Sequence, residues 1–264
     1  MEIKGSVAVV TGGGNGIGEA VAKYLVKHGA KVAIVDMAQK NIDRVVKEIK
    51  EMGGEAIGIQ ANVTSEAETA RFIKATVEAF GQLNVAVACA GIIRDGTMLN
   101  LDKETGKVSK KMGLDKWQPV IDVNLTGTFL TLRDSAEAMV NGGWEGLLVT
   151  ISSVNKVGQV GQLNYSSTKV ADALMPKIMV GEFQMRGIKN IRCVGIAPGY
   201  TATPMLTGMN QDALAAIVKD VHIGRLRKAV NNGSSVDPIR TVRGAGYAFN
   251  DHFAASAKPS ALSA

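Results

Sequence analysis

Ser6-Val7-Ala8-Val9-Val10-Thr11-Gly12-Gly13-Gly14-Asn15-Gly16-Ile17-Gly18 carries an unbroken apolar run into a cluster of glycines. Helical periodicity starts inside that cluster and continues over residues 17–28. A run that is apolar at consecutive positions, not alternate ones, belongs to a strand covered on both faces. Glycines between strand and helix allow a tight turn and let backbone N–H groups approach an anion. The helix N-terminus adds a field that favours negative charge. Strand, glycine turn and helix form the first half of a βαβ unit with a phosphate site at the turn. A merely structural turn would also use glycine, so the motif takes its weight from the residues downstream of it.

The same alternation continues along the chain. Strands are predicted at residues 6–10, 31–35, 55–60, 85–89, 146–151 and 190–196, and helices at 17–28, 40–52, 66–80, 115–140 and 164–185. Gly29, Gly53, Gly81 and Gly187 each stand just past a predicted helix, where a left-handed cap residue is expected. The pattern predicts an α/β fold: a Rossmann-like, doubly wound parallel sheet in three α/β/α layers. Residues 1–219 are read as one nucleotide-binding and catalytic domain. Residues 220–264 form an atypical C-terminal segment packed on it. Residues 95–113, with Lys103, Lys107, Lys110 and Lys111 and a Thr105-Gly106 turn, read as an inserted loop or small hairpin. Pro176, deep in the last predicted helix, should kink it or cost about 3 kcal/mol.

Composition narrows the class. A content of 46% hydrophobic residues in 264 excludes a disordered chain and allows a sizeable core. No apolar run nears the roughly 20 residues that span a bilayer. The first strand comes too early to leave room for a secretory leader. Two cysteines, Cys89 and Cys193, suit a reducing compartment and read as small buried residues. A cytoplasmic protein is expected, and three scattered histidines give no reason to expect a metal site. The net charge of +6 is unevenly spread. Residues 1–219 hold 24 Lys and Arg against 21 Asp and Glu, and the last 45 hold 6 against 3.

Two further features point to chemistry. The second strand leads into Asp36, 18 residues after Gly18, where a carboxylate can accept both hydroxyls of an adenosine ribose and would repel a 2′-phosphate. No basic residue stands in the glycine loop or beside Asp36, and the next is Lys40. NAD is favoured over NADP. In Tyr165-Ser166-Ser167-Thr168-Lys169 the i,i+4 spacing puts a phenol and an ammonium on one helix face. A nearby cation favours the ionised phenol, a proton acceptor. The preceding strand ends in Ile151-Ser152-Ser153, which puts a hydroxyl at the edge of the sheet where open α/β folds bind ligands.

Over about residues 3–210 the chain resembles the short-chain dehydrogenases/reductases, near their 3-oxoacyl-carrier-protein reductase branch. The Thr11–Gly18 loop, Asp36, Ala90-Gly91, Asn124, Ser153, Tyr165 with Lys169, and Pro198-Gly199 followed by Thr203 carry the resemblance in order. It implies an enzyme that interconverts a secondary alcohol and a ketone, a 3-oxoacyl thioester among the candidates, by hydride transfer with NAD. Tyr165 would be the general acid/base. Lys169 would bind the nicotinamide ribose and lower the tyrosine pKa, Ser153 would hold the substrate oxygen, and Asn124 would position a relay water. Gly12, Asn15, Gly16, Ile17 and Gly18 would cradle the pyrophosphate, and Ala90 and Gly91 would complete that cofactor site. Asn62 and Val63 would flank the adenine. Pro198, Gly199, Thr201 and Thr203 would sit against the nicotinamide. Relatives pair the two long helices across a dimer axis, so a homodimer or homotetramer is expected.

The departures from the family pattern are local. The turn after strand four usually carries two asparagines and here reads Ala88-Cys89-Ala90-Gly91, and Asn62 stands where an aspartate is common. Ser152 has the 13-residue spacing to Tyr165 of many relatives, while Ser153 follows the strand motif. Ser153 is preferred, because a loop shortens more easily than a strand slips. Residues 220–249 do not match the family's last helix and strand. They resemble the recognition helix and C-terminal hairpin of winged-helix response-regulator domains. A second hypothesis is then an impaired scaffold or chimera whose basic tail binds DNA.

Overall fold

The computed structural model describes residues 1–201, 203–204, 239–242 and 246–249. The chain divides into two compact units, Met1–Gly199 and Tyr200–Ala264. The boundary expected at 219/220 lies outside the described residues.

In the first unit, β1 (Val7–Thr11), α1 (Gly16–Lys27), β2 (Lys31–Asp36), α2 (Gln39–Glu51), β3 (Ala56–Gln60), α3 (Glu66–Phe80) and β4 (Val85–Ala88) alternate strand with helix. The lysine-rich insert is an antiparallel hairpin, β5 (Leu99–Leu101) with β6 (Val108–Lys111). There follow α4 (Leu114–Ile121), a π-helical turn (Asp122–Thr126) and α5 (Gly127–Gly142). After these come β7 (Gly146–Ile151), a 3-10 turn (Val154–Val157), α6 (Leu163–Met185) and β8 (Ile191–Ile196). Six strands form one parallel sheet in the order β3-β2-β1-β4-β7-β8. The chain winds outward from β1 to β3, returns, and winds the other way from β4. The reversal opens a crevice at the carboxyl ends of β1 and β4, where ligands of such sheets bind.

The unbroken apolar runs have a simple cause. Val9, Ala33, Val35, Ala86 and Leu148 point into one core with Phe72, Leu132 and Met139. Their neighbours Ala8, Val10, Val32, Ile34, Val87 and Val149 point into another with Ile42, Val45 and Ile49. Each fully buried Leu, Ile or Phe contributes about 1.5–3 kcal/mol of transfer free energy. The four glycines expected to end helices all have positive φ, from +70° at Gly187 to +86° at Gly29.

One expectation is corrected. The helix predicted over 115–140 is not uniform: Asp122–Thr126 forms a wider π-helical turn between α4 and α5. α6 runs from Leu163 to Met185 with Pro176 inside it. Proline cannot donate to the carbonyl four residues back. Here that carbonyl, of Asp172, instead accepts a 2.7 Å hydrogen bond from Thr150 Oγ1 on β7. A partner from the sheet satisfies the group that the proline leaves open, which removes much of the expected penalty.

In the second unit, β9 (Ile239–Val242) pairs antiparallel with β10 (Gly246–Phe249), Gly246 opposite Val242. The basic residues ahead of this hairpin, Arg225, Arg227 and Lys228, lie outside the described residues.

Candidate active site

The glycine loop caps the carboxyl end of β1. Gly12 has φ +64°, and a Cβ there would lie 2.9 Å from the Ala90 Cα. A Cβ on Gly18 would lie 2.3 Å from the Gly12 carbonyl oxygen, so α1 can sit this close to the loop only with glycine at that position. Gly16 has φ +56°. Exposed Asn15 occupies the N-cap position of α1 without a side-chain cap bond, and half-buried Ile17 follows in the first turn. The Asp36 carboxylate faces this loop: Oδ2 accepts from Gly14 N at 3.0 Å and Oδ1 from Ala38 N at 3.0 Å.

One basic group escaped the sequence reading. From α2, Arg44 donates to the Gly14 carbonyl at 3.0 Å and to both Glu19 carboxylate oxygens, at 2.9 and 2.6 Å. It also reaches Glu48 at 3.1 Å. The Arg44 guanidinium, with help from Lys23, holds the Glu19 carboxyl below its ordinary range although burial works against it. The guanidinium is thus engaged by two carboxylates beside the loop.

The turn after β4 closes the other side of the crevice. Thr11 Oγ1 accepts from Cys89 N at 3.2 Å and Ala90 N at 3.3 Å, which ties the end of β1 to this turn. Asn124, fully buried in the π-helical turn, accepts from Ile92 N at 2.8 Å and donates to Ile92 O at 3.0 Å. Its side chain thereby fixes the backbone just past half-buried Gly91. Asn62 Oδ1 accepts from Thr64 N and Oγ1 at 3.1 and 3.0 Å. Val63 is buried where α5 approaches, and a Cβ on Gly127 would meet Val63 Cγ2 at 2.6 Å.

α6 brings the phenol and ammonium together as the spacing predicts. Lys169 Nζ lies 5.6 Å from the Tyr165 ring centroid. It donates to the Ile151 carbonyl and to Asp172 Oδ2, both at 2.8 Å. The two serines at the end of β7 differ. Ser152 is buried and donates to the Lys169 carbonyl at 2.5 Å. Half-buried Ser153 accepts from Asn155 N at 3.1 Å through Oγ. Burial pushes the Cys89 thiol up to about 11, slightly opposed by Lys169, and Cys193 up to about 11. Both are protonated near neutrality and poor nucleophiles.

Pro198 O accepts from Val154 N at 3.0 Å, which holds the start of the chain after β8 against the 3-10 turn that follows Ser153. Gly199 closes the first unit, while Thr201 and Thr203 belong to the second, where Thr203 N donates to Thr201 O at 2.7 Å. Asp172 is the second residue that sequence reading missed. Its only signal was an acidic residue one helical turn past Lys169 in a segment that must be buried.

A family model described as short chain dehydrogenase matches residues 6–214. A 3-oxoacyl-[acyl-carrier-protein] reductase from a Synechocystis strain is 36% identical over 222 residues, covering 83% of each chain. A (3R)-3-hydroxyacyl-CoA dehydrogenase of Homo sapiens is 35% identical over 234 residues, 85% of this chain and 84% of that one. Among solved structures, a short-chain type dehydrogenase/reductase from Mycobacterium marinum superposes with a TM-score of 0.70 at 28% identity, covering 78% and 77% of the two chains.

Proposed function

The chain belongs to the short-chain dehydrogenase family, and we propose that it is an NAD(H)-dependent oxidoreductase interconverting a secondary alcohol and a ketone. The observation that carries this reading is the Tyr165–Lys169 pair, with the ammonium 5.6 Å from the phenol ring at the carboxyl edge of the sheet. The glycine cradle fits a dinucleotide. Glycine at positions 12 and 18 lets the loop pack directly on the β4 turn and on α1, the tight turn by which backbone N–H groups are brought to a pyrophosphate. Asp36, already accepting from Gly14 N, is positioned to take ribose hydroxyls, which supports NAD over NADP.

A nicotinamide cofactor held by these residues would supply or accept the hydride. The protein's residues do the rest. In the oxidative direction Tyr165 takes the proton from the alcohol oxygen, and in the reductive direction it returns one. Lys169 holds positive charge beside the phenol and is placed to donate to ribose hydroxyls. Ser153 offers its hydroxyl proton to the substrate oxygen. Asn124 holds the turn at Ile92 and thereby the floor of the site, and a relay water would sit against the same helix. Thr201 and Thr203 are assigned to the nicotinamide side by the family pattern.

The two named relatives share the chemistry of a 3-hydroxyacyl or 3-oxoacyl thioester, and that class heads the substrates to test. A panel of secondary alcohols and 3-oxoacyl thioesters with NAD(H) and NADP(H) should show turnover with NAD(H) at least about tenfold above NADP(H). Turnover that prefers NADP(H) overturns the cofactor assignment, and no turnover anywhere in the panel overturns the reading.

We take α5 and α6 as the faces of a dimer axis, as the resemblance implies. The exposed Phe129 and Val140 on α5, and Val170, Leu174 and Ile178 at i,i+4 spacing on α6, supply an apolar face for a second copy. We assign the working form as a homodimer or homotetramer in the cytoplasm. A light-scattering mass equal to one chain at micromolar concentration would refute it. No helix among the described residues is long and apolar enough to cross a membrane.

A further inference from the structure

Asp172 is a fully buried carboxylate in the catalytic helix, and the mechanism derived for Tyr165 and Lys169 leaves it without a role. Its Oδ2 accepts from Lys169 Nζ at 2.8 Å, while Oδ1 has no hydrogen-bond partner among the described residues. The same ammonium lies 5.6 Å from the Tyr165 ring. The β7 end fixes this arrangement from three sides. Thr150 Oγ1 donates to the Asp172 carbonyl, Ile151 O accepts from Lys169 Nζ, and Ser152 Oγ donates to the Lys169 carbonyl. Ammonium and carboxylate therefore form a buried pair with little freedom to rearrange, next to the half-buried ring of Tyr165.

We propose that Asp172 is a positioning residue that divides the charge of Lys169, setting how strongly the ammonium favours the ionised form of Tyr165. The proposal rests on the reading of Tyr165 as the acid/base. A carboxylate held against the ammonium offsets part of its field at the phenol. An enzyme that lacked it would form the phenolate at lower pH. Other charged or titratable groups stand on the elements around α6: Cys89 after β4, Arg192 and Cys193 on β8, Lys156 in the 3-10 turn, and Asp115, Lys116 and Asp122 on α4 and the π-helical turn. None of these makes a hydrogen bond or ion pair with the Asp172 carboxylate, whose partner among the described residues is Lys169. Burial raises the Asp172 carboxyl above the ordinary carboxylate range, and Lys169 opposes part of that rise.

The test titrates tyrosinate absorbance in the full chain without substrate or nucleotide. Subtracting the Tyr165→Phe protein isolates one transition among four tyrosines. Asp172→Asn should move that transition to lower pH by about one unit, a shift of the size one charge exerts at this range in a partly shielded site. Asp172→Glu should restore it. A transition unmoved in Asp172→Asn overturns the proposal, because a purely structural role would leave it in place. If Asp172→Asn does not fold, Asp172→Ser serves the same comparison. In the unaltered protein the carbon-13 carboxyl signal of Asp172 must also be that of an ionised group at neutral pH, and a protonated signal overturns the proposal. No turnover enters these readouts, so a protein inactive in the substrate panel would refute the function while leaving the Asp172 shift readable.

Discussion

Replacing Tyr165 by phenylalanine is expected to lower turnover by at least about 10²-fold, the scale of a positioned general acid/base. The change removes one oxygen and keeps the ring. The aromatic contact with Lys169, whose Nζ lies 5.6 Å from the ring centroid, should survive. So should the backbone bonds of Tyr165, whose N–H donates to Asn164 Oδ1 at 2.8 Å and whose carbonyl accepts from Thr168 Oγ1 at 2.8 Å. Stability and NADH binding should therefore stay close to those of the parent while kcat falls. Stopped-flow turnover that barely changes would remove Tyr165 from the mechanism. A fall in kcat accompanied by lost NADH binding would mean that the phenol mainly shapes the cofactor site.

The second large effect is expected at Gly18. An alanine Cβ there would lie 2.3 Å from the Gly12 carbonyl oxygen and 2.8 Å from its carbon, both backbone atoms that no rotamer change can move aside. Either α1 or the loop must shift. Overpacking of this kind costs about 1–3 kcal/mol in stability. The displaced atoms are also those assigned to the pyrophosphate, so NADH affinity should fall by more than about tenfold, since loss of about 1.4 kcal/mol of binding free energy already amounts to that factor. Gly181→Ala is the matched control. That glycine lies in α6 with open space where its Cβ would stand, and alanine there should gain about 0.5–1 kcal/mol. Thermal unfolding and NADH fluorescence titration of the two variants give the comparison. Unchanged affinity in Gly18→Ala would show that the loop does not hold the cofactor.

The central strands β1, β2 and β4 were legible because their interiors are apolar at consecutive positions and serve two cores. Val32 and Ala33 point to opposite faces, and each face is covered by helices. Such runs announce themselves in a sequence. Asp36 was legible for a related reason: its meaning comes from its place at the end of β2, and the chain alone fixes that place. Hydrogen bonds between distant segments left no such trace. Pro176 looked disruptive because its remedy, Thr150, stands on another element and 22 residues from the carbonyl it satisfies. Arg44 was invisible at the glycine loop because it arrives from α2, 30 residues beyond Gly14. Ser152 and Ser153 could be ranked only by argument from the sequence. Their hydroxyls turn to different partners, which a linear spacing cannot express. The π-helical turn around Asn124 likewise interrupts a helix whose residues carry no change of period.

The grip of β7 on α6 has a consequence for how such a protein can diversify. Thr150, Ile151 and Ser152, three successive residues, bond to the Asp172 carbonyl, the Lys169 ammonium and the Lys169 carbonyl. Strand and helix are stitched at consecutive points, so they move as one piece. The phenol's position relative to the sheet is inherited from that seam, not from the exposed segments around the entrance. Exposed segments such as the β5–β6 hairpin can then lengthen, shorten or change charge over generations without disturbing how α6 is seated on the sheet.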